Sequence, residues 1–261
     1  MKKMPVLFVG HGNPMNALDK NSPFNQNFRQ TTQTFEKPKA ILMISAHWYS
    51  SRLQVTSGEN PPMIYDFHGF PEELSQVQYP AQGSPELAEK VRSLLAPESV
   101  EMNPTRGFDH GAWTVLKYLY PDADVPVVQL SINRLQPAEW HFALAKKLAS
   151  LRDEGVLIIG SGNIVHNLRA ISWEHINQIG AGYDWAFAFR NEINQAIDAQ
   201  NDDLLVHYGQ LGENAELAVP TPDHYLPLLY VMALREPSDK VAFFNDELMA
   251  GSLSMTSVLI G

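Results

Sequence analysis

Short, near-continuous apolar runs alternate along the chain with longer stretches whose apolar positions recur at helical spacing. Residues 5–9, 40–45, 125–131 and 156–161 are runs dominated by Val, Ile and Leu. A strand covered on both faces reads this way, which is the habit of parallel sheets in α/β folds. Residues 52–57 alternate more between apolar and polar and predict a more exposed strand. Helices fall between the runs. Ser84 and Pro85 open one as N-cap and first-turn proline, and it runs to about Leu95. Residues 137–151, rich in Ala, Leu and Lys, predict a second, and residues 183–199 and 222–234 predict two more. Residues 58–83 are rich in Pro, Gly and aromatics, and a long irregular segment of this kind usually covers or shapes a site. No repeat, low-complexity tract or linker interrupts the pattern. It predicts a single α/β domain over residues 1–261, with a central, mostly parallel or mixed sheet flanked by helices.

Composition narrows what such a domain can do. The chain has 261 residues, 44% apolar and 18% charged, the balance of a soluble globular protein. Its net charge of −10 argues against a nucleic-acid backbone or an anionic membrane as partner. The absence of cysteine excludes disulfides, thiolate metal sites, iron–sulfur clusters and a cysteine nucleophile. Any metal must therefore sit on nitrogen and oxygen ligands. The start, Met1-Lys2-Lys3-Met4-Pro5, leads into an apolar run of only residues 6–9, closed by Gly10-His11-Gly12. That is too short for a signal peptide or membrane span and reads as a cytoplasmic protein.

Open α/β sheets bind ligands at the carboxyl ends of their strands, and three histidines fall there. His11 follows the first run, His47 ends the run 41–46, and His166 follows residues 156–161 within Gly160-Ser161-Gly162-Asn163-Ile164-Val165-His166-Asn167. His110 lies in Gly107-Phe108-Asp109-His110-Gly111, and His224 in Pro222-Asp223-His224-Tyr225. A lone histidine near a strand end is more often a hydrogen-bonded cap than a ligand. His110 can simply open a helix near Gly111 with Asp109 as N-cap. Convergence is the counterweight, because separate strands deliver the same side chain to one edge of the sheet. Imidazole is the commonest neutral metal ligand. Spacing alone leaves both readings open. His68, His141, His175 and His207 read as structural or surface residues. The chain has no phosphate loop and no dinucleotide-binding glycine pattern, and Gly160-Ser161-Gly162 does not fit the Gly-x-Ser-x-Gly spacing of a nucleophile elbow.

At these residues the sequence resembles the class III extradiol ring-cleaving dioxygenases, in the branch of 4,5-DOPA dioxygenase type. The motifs run in order along nearly the whole chain: Gly10-His11-Gly12-Asn13-Pro14-Met15, Ser45-Ala46-His47-Trp48, Pro61-Pro62-Met63-Ile64-Tyr65-Asp66-Phe67, Gly107-Phe108-Asp109-His110-Gly111, Gly160-Ser161-Gly162-Asn163 with His166-Asn167, and Thr221-Pro222-Asp223-His224-Tyr225. The resemblance implies one divalent metal ion per chain, on His11, His47 and His224, with His166 as catalytic base and possible fourth ligand. It implies that His110 contacts substrate or oxygen. The third ligand is a glutamate in better-known relatives. A histidine at that position leaves the full charge on the ion and suits zinc, whereas ring cleavage calls for Fe(II).

The implied partners are a small aromatic diol such as DOPA and O2. One oxygen molecule would be inserted beside the diol to give a semialdehyde. Asp109 and Asp223 are expected to orient neighbouring imidazoles, and Trp48, Phe108 and Trp113 either wall the ring or pack as ordinary core residues. Two alternatives on the same fold are a zinc-dependent hydrolase and a catalytically inactive small-molecule binding protein. Oligomeric state is not written in the sequence.

Overall fold

The computed structural model describes residues 2–261. Its strands are β1 (Val6–Gly10), β2 (Ala40–Ser50), β3 (Gln54–Thr56), β4 (Glu101–Asn103), β5 (Val127–Asn133), β6 (Val156–Gly162), β7 (Val241–Phe244), β8 (Leu248–Met249), β9 (Leu253–Ser254) and β10 (Ser257–Ile260). Its helices are α1 (Pro23–Thr31), α2 (Glu72–Ser75), α3 (Pro85–Leu94), α4 (His110–Leu119), α5 (Ala138–Lys146), α6 (Asp184–Asp198), α7 (Asp202–Val206), α8 (Glu213–Ala218) and α9 (Leu226–Met232).

Eight strands form one mixed sheet in the order β4-β3-β5-β2-β6-β1-β10-β7, and β8 and β9 pair separately. The four central strands, β5-β2-β6-β1, run parallel. The expected α/β architecture is thus present, with antiparallel strands added at both flanks.

Alternation along each central strand feeds two cores. Leu7, Val9, Ile41, Met43, Val127, Leu157 and Ile159 pack with α4 and with Phe28 of α1. Val6, Phe8, Leu42, Ile44, Val128, Leu130 and Ile158 pack on the opposite face with residues of α3, α5, α6 and α9. Burial on both faces explains why these strands read as unbroken apolar runs. Helices α4 and α9 are apolar around most of their circumference because they are sunk in these layers.

Several sequence expectations shift in detail. Residues 52–57 contribute only the three-residue β3, and Val55 and Thr56 are buried rather than exposed, because β4 and β5 flank the strand and α3 packs nearby. The helix expected over 137–151 stops at Lys146 and resumes as a 3₁₀ turn, Ala149–Arg152. The helix expected over 222–234 begins as a 3₁₀ turn, Pro222–His224, before α9. Proline at the start of each piece supplies a fixed φ but no N–H, which favours a fresh start over one continuous helix. Among the described residues no helix is long and apolar enough to cross a membrane.

One buried ion pair ties Met4, just before β1, to the connection between α9 and β7. Arg152 donates from Nε to the Met4 carbonyl (2.8 Å), and from Nη1 to the Leu234 carbonyl (2.7 Å) and Asp239 Oδ2 (2.8 Å). Arg152→Ala would take this donor from the Met4 and Leu234 carbonyls and the bonded cation from Asp239, which keeps the Glu236 N–H. It is expected to lower unfolding free energy by about 3–5 kcal/mol, read from denaturant melts. A loss below about 1 kcal/mol, the range of an exposed pair, would contradict that account.

Candidate metal centre

Parallel strands place their carboxyl ends on the same edge of the sheet, and the register shows how closely those ends align. Gly10 pairs with Gly162, and Ser45 pairs with Ser161. His11 is the residue after β1. His47 does not end its strand as expected but lies within β2. Between Ile44 and Tyr49 the register against β5 slips, so four residues of β2 lie opposite the single residue between Leu130 and Ile132. Such an irregularity re-aims side chains at a sheet edge, and here His47 is among the residues it displaces.

Two glycines make room. A Cβ on Gly162 would lie 2.1 Å from the His224 carbonyl, and one on Gly111 would lie 2.7 Å from His47 Cδ2. Glycine alone permits these approaches. The backbone N–H of Asn163 donates to that His224 carbonyl at 2.8 Å, which seats the Pro222–His224 turn on the end of β6.

All five sequence-marked histidines come together. The ring of His11 has its centroid 5.0 Å from His47, 5.8 Å from His110 and 5.2 Å from His224. His47 and His110 are 3.8 Å apart by the same measure. His166 stacks on His224 at 3.4 Å with planes only 5° apart. The closest set of nitrogens comprises His11, His47 and His110, one ligand atom of each lying within 4.8 Å of the others. His68 is exposed and His207 rests on Asp203 and Glu139 at the surface. His175 Nδ1 bonds Ser172 Oγ at 2.8 Å, outside the cluster. His141 is a core residue. Its Nε2 donates to the Asn133 carbonyl and its Nδ1 accepts from the Tyr230 hydroxyl, and burial pushes its pKa down to about 4.

The hydrogen bonds decide which way each ring faces. Ser161 Oγ donates to the Gly111 carbonyl at 2.6 Å, so its lone pair receives His11 Nδ1–H at 3.1 Å. His224 Nδ1 donates to Asp223 Oδ2 at 2.5 Å. His110 Nδ1 donates to Asp66 Oδ1 at 3.0 Å, and Asp66 Oδ2 lies 3.5 Å from His47 Nδ1. With Nδ1 donating, the Nε2 atoms of His11, His110 and His224 keep their lone pairs.

His11 Nε2 faces His47 Nε2 at 3.1 Å, and His224 Nε2 is buried with no partner at all. Nitrogens bound about 2.0–2.1 Å from one divalent ion stand about 2.8–3.4 Å apart in octahedral or tetrahedral geometry. The donor set therefore fits a cation.

The electrostatics agree. Burial, reinforced by the neighbouring imidazoles, holds the pKa of His11 and His47 well below the ordinary histidine range. Burial likewise brings His166 down to about 3. These rings are neutral at neutral pH, the form a metal requires. Burial alone would raise the carboxyls of Asp66 and Asp223. Hydrogen bonds from His110 and His224, respectively, outweigh it and hold both below the ordinary range.

Two expected roles change. Asp223 orients His224, but Asp109 hydrogen-bonds no histidine ring. As N-cap of α4 it accepts from Ala112 N, and its side chain turns into the sheet to meet Ser45 and Gln129. The carboxylate expected there is Asp66, from the irregular segment. Its signal in the sequence was its place in a segment marked as site-covering, with no indication of which way it points. Ser161, rejected as a nucleophile, is fully buried and serves His11. Phe108 and Trp113 lie in the core, and the Arg106 guanidinium sits 4.9 Å from the Trp48 ring. The aromatic beside the centre is Phe67, 5.8 Å from His110.

Gly111→Ala is expected to displace the His47 ring and cut divalent-metal affinity by about ten-fold or more, with far-UV dichroism unchanged. Affinity equal to that of the unaltered protein would show that the close approach does not position His47.

Comparison with known proteins gives the centre its context. A profile of the LigB family, described as the catalytic LigB subunit of aromatic ring-opening dioxygenase, matches residues 5–225. The 4,5-DOPA dioxygenase extradiol of Escherichia coli (strain K12) is 44% identical over 263 residues, spanning 99% of this chain and 95% of that protein. The 4,5-DOPA dioxygenase extradiol of Beta vulgaris is 38% identical, spanning 97% of this chain and 94% of that one. The crystal structure of an uncharacterized protein from Escherichia coli K12 matches with a TM-score of 0.86 at 41% identity, covering 99% of this chain and all of that chain. The chain belongs to this family of ring-opening enzymes and is an extradiol dioxygenase.

Proposed function

With membership of the aromatic ring-opening dioxygenases as the premise, we propose that residues 1–261 act as one catalytic unit on a small catechol of the DOPA type. Both atoms of O2 enter the product, and the ring opens beside the diol to a semialdehyde. The substrate class rests on the similarity to the DOPA-cleaving relatives. The observation that carries the site assignment is the convergence of Nδ1-tethered imidazoles, with the Nε2 of His11 turned towards the His47 ring and that of His224 buried without a partner.

His11, His47 and His224 hold the ion, and His166, stacked on His224, can add a fourth nitrogen. A divalent ion bound there would supply Lewis acidity that lowers a phenol pKa and, as Fe(II) but not Zn(II), a path for electrons to oxygen. Iron is the working metal in this reading, although the all-histidine set accepts zinc as readily.

His166 is neutral and takes the proton from one catechol hydroxyl. His110, fixed through Asp66, presents Nε2 to the oxygen side of the ring and handles the second proton. Phe67 bounds the space next to His110 and keeps water from it. The tight grouping of His110 with His11 and His47 favours a second reading, in which His110 rather than His224 is the third ligand.

The test begins with anaerobic purification, metal analysis and loading with Fe(II) or Zn(II), followed by a screen of catechols for oxygen uptake and a yellow product. Uptake with iron and none with zinc is expected. No uptake with any catechol, or hydrolysis with zinc alone, would overturn the reading. His47→Ala and His224→Gln are expected to lose stoichiometric metal, while His110→Gln keeps it. The reverse pattern at 224 and 110 would transfer the third ligand to His110. His166→Gln should keep the metal and lose about 10²–10⁴-fold in turnover. Near-normal turnover would remove His166 as the base.

A further inference from the structure

Among the described residues, one carboxylate faces two imidazoles of the centre at once, and it comes from none of the sheet strands. Asp66 Oδ1 accepts from the His110 backbone N–H at 2.9 Å and from its ring Nδ1 at 3.0 Å, while Oδ2 lies 3.5 Å from His47 Nδ1. We propose that Asp66 is a positioning residue that sets His47 and His110 as a pair, and ties their orientation to the seating of segment 58–83. The proposal rests on the reading of His47 as a metal ligand.

The segment is anchored just before Asp66. Ile64 N donates to the Phe108 carbonyl at 2.8 Å, and Phe108 N donates to the Pro62 carbonyl at 2.9 Å. Trp113 Nε1 donates to the Ile64 carbonyl at 3.0 Å. A Cβ on Gly107 would lie 1.9 Å from the Pro62 carbonyl oxygen, so the two stretches of backbone meet as closely as atoms allow. Asp66 is thus two residues beyond a fixed point, with its carboxylate still 25% exposed. Phe67 follows it, so one short arm supplies both the carboxylate and the aromatic wall.

Charge gives the arm a reason to matter. Neutral imidazoles do nothing to offset the charge of a divalent ion, whereas Asp66 and Asp223 each put a negative charge one ring away from it. Asp223 adjoins the histidine it serves and moves with it. Asp66 comes from a different part of the chain, so its contact with His47 and His110 lasts only while the segment is seated.

A purely structural role, capping the first N–H of α4, would also explain the 2.9 Å bond. The test separates the two. Zinc affinity of the full chain is measured by chelator competition for the unaltered protein, Asp66→Asn and Tyr65→Phe, alongside apo melting temperature. Tyr65→Phe removes a bond internal to the segment, to the Val77 carbonyl, and leaves both the carboxylate and the anchors at Pro62 and Ile64 intact.

Asp66→Asn is expected to bind zinc about 10–100-fold more weakly, while Tyr65→Phe keeps the original affinity. In the iron-loaded enzyme the loss should fall on kcat more than on KM. It should also shrink when introduced into His110→Gln, because part of it acts through that ring. Equal zinc affinity for Asp66→Asn and the unaltered protein overturns the proposal. So does an equal loss in Tyr65→Phe, or losses at 66 and 110 that simply multiply. Failure of the unaltered protein itself to bind zinc or iron would instead overturn the ligand assignment beneath it.

Discussion

Imidazoles crowded at the carboxyl edge of a parallel sheet have their facing decided by the hydrogen bonds at Nδ1. Ser161 holds His11, Asp223 holds His224, and Asp66 holds His110 while lying beside His47. Each contact fixes a tautomer as well as an angle, and leaves a lone pair on the opposite nitrogen. Without a cation, His11 Nε2 would have only the His47 ring as a partner, at 3.1 Å, and the buried His224 Nε2 would go unpaired. Those costs disappear when an ion occupies the space between them. The rest of the molecule works to hold these donors and acceptors in place.

The sheet does so through strand direction and through the absence of side chains at chosen points. Parallel pairing brings the ends of β1, β2 and β6 level, and the slip in β2 releases His47 from strict alternation. Glycines 111 and 162 admit the His47 ring and the His224 carbonyl at distances that a Cβ would block. The Pro222–His224 turn rests on β6 and runs into α9, whose apolar residues are sunk in the core. A site assembled on packed strands and a buried helix is rigid where it needs to be. The side chain that reaches it from an irregular segment is the carboxylate of Asp66, with Phe67 beside it.

The sequence was legible where local pattern and global fold share one cause. Strands covered on both faces must be apolar throughout, so the four central runs stood out, and His11 and His166 could be placed at their carboxyl ends. The last strands of the sheet, β7 and β10, are only four residues long each, so no comparable run announced them. Direction was harder to read than position. Asp109 adjoins His110 in sequence, yet as a helix cap it turns its side chain the other way, towards Ser45 and Gln129. Asp66 lies 44 positions from His110 and reaches it only because the irregular segment folds back over α4. Spacing carries no record of such a return. The likeness to a known family supplied the ligand candidates, but not the partners that orient them.

The central claim is that the orienting contacts at Nδ1 make a single ion site from the Nε2 atoms of His11, His47 and His224. The direct measurement is a crystal structure of the protein loaded anaerobically with Fe(II), with data collected at the iron absorption edge. The account predicts one anomalous peak per chain, within bonding distance of those three Nε2 atoms, with the Nδ1 contacts to Ser161 and Asp223 intact. A peak bonded to Nδ1 atoms, a peak outside this cluster, or no peak in fully loaded protein would contradict it.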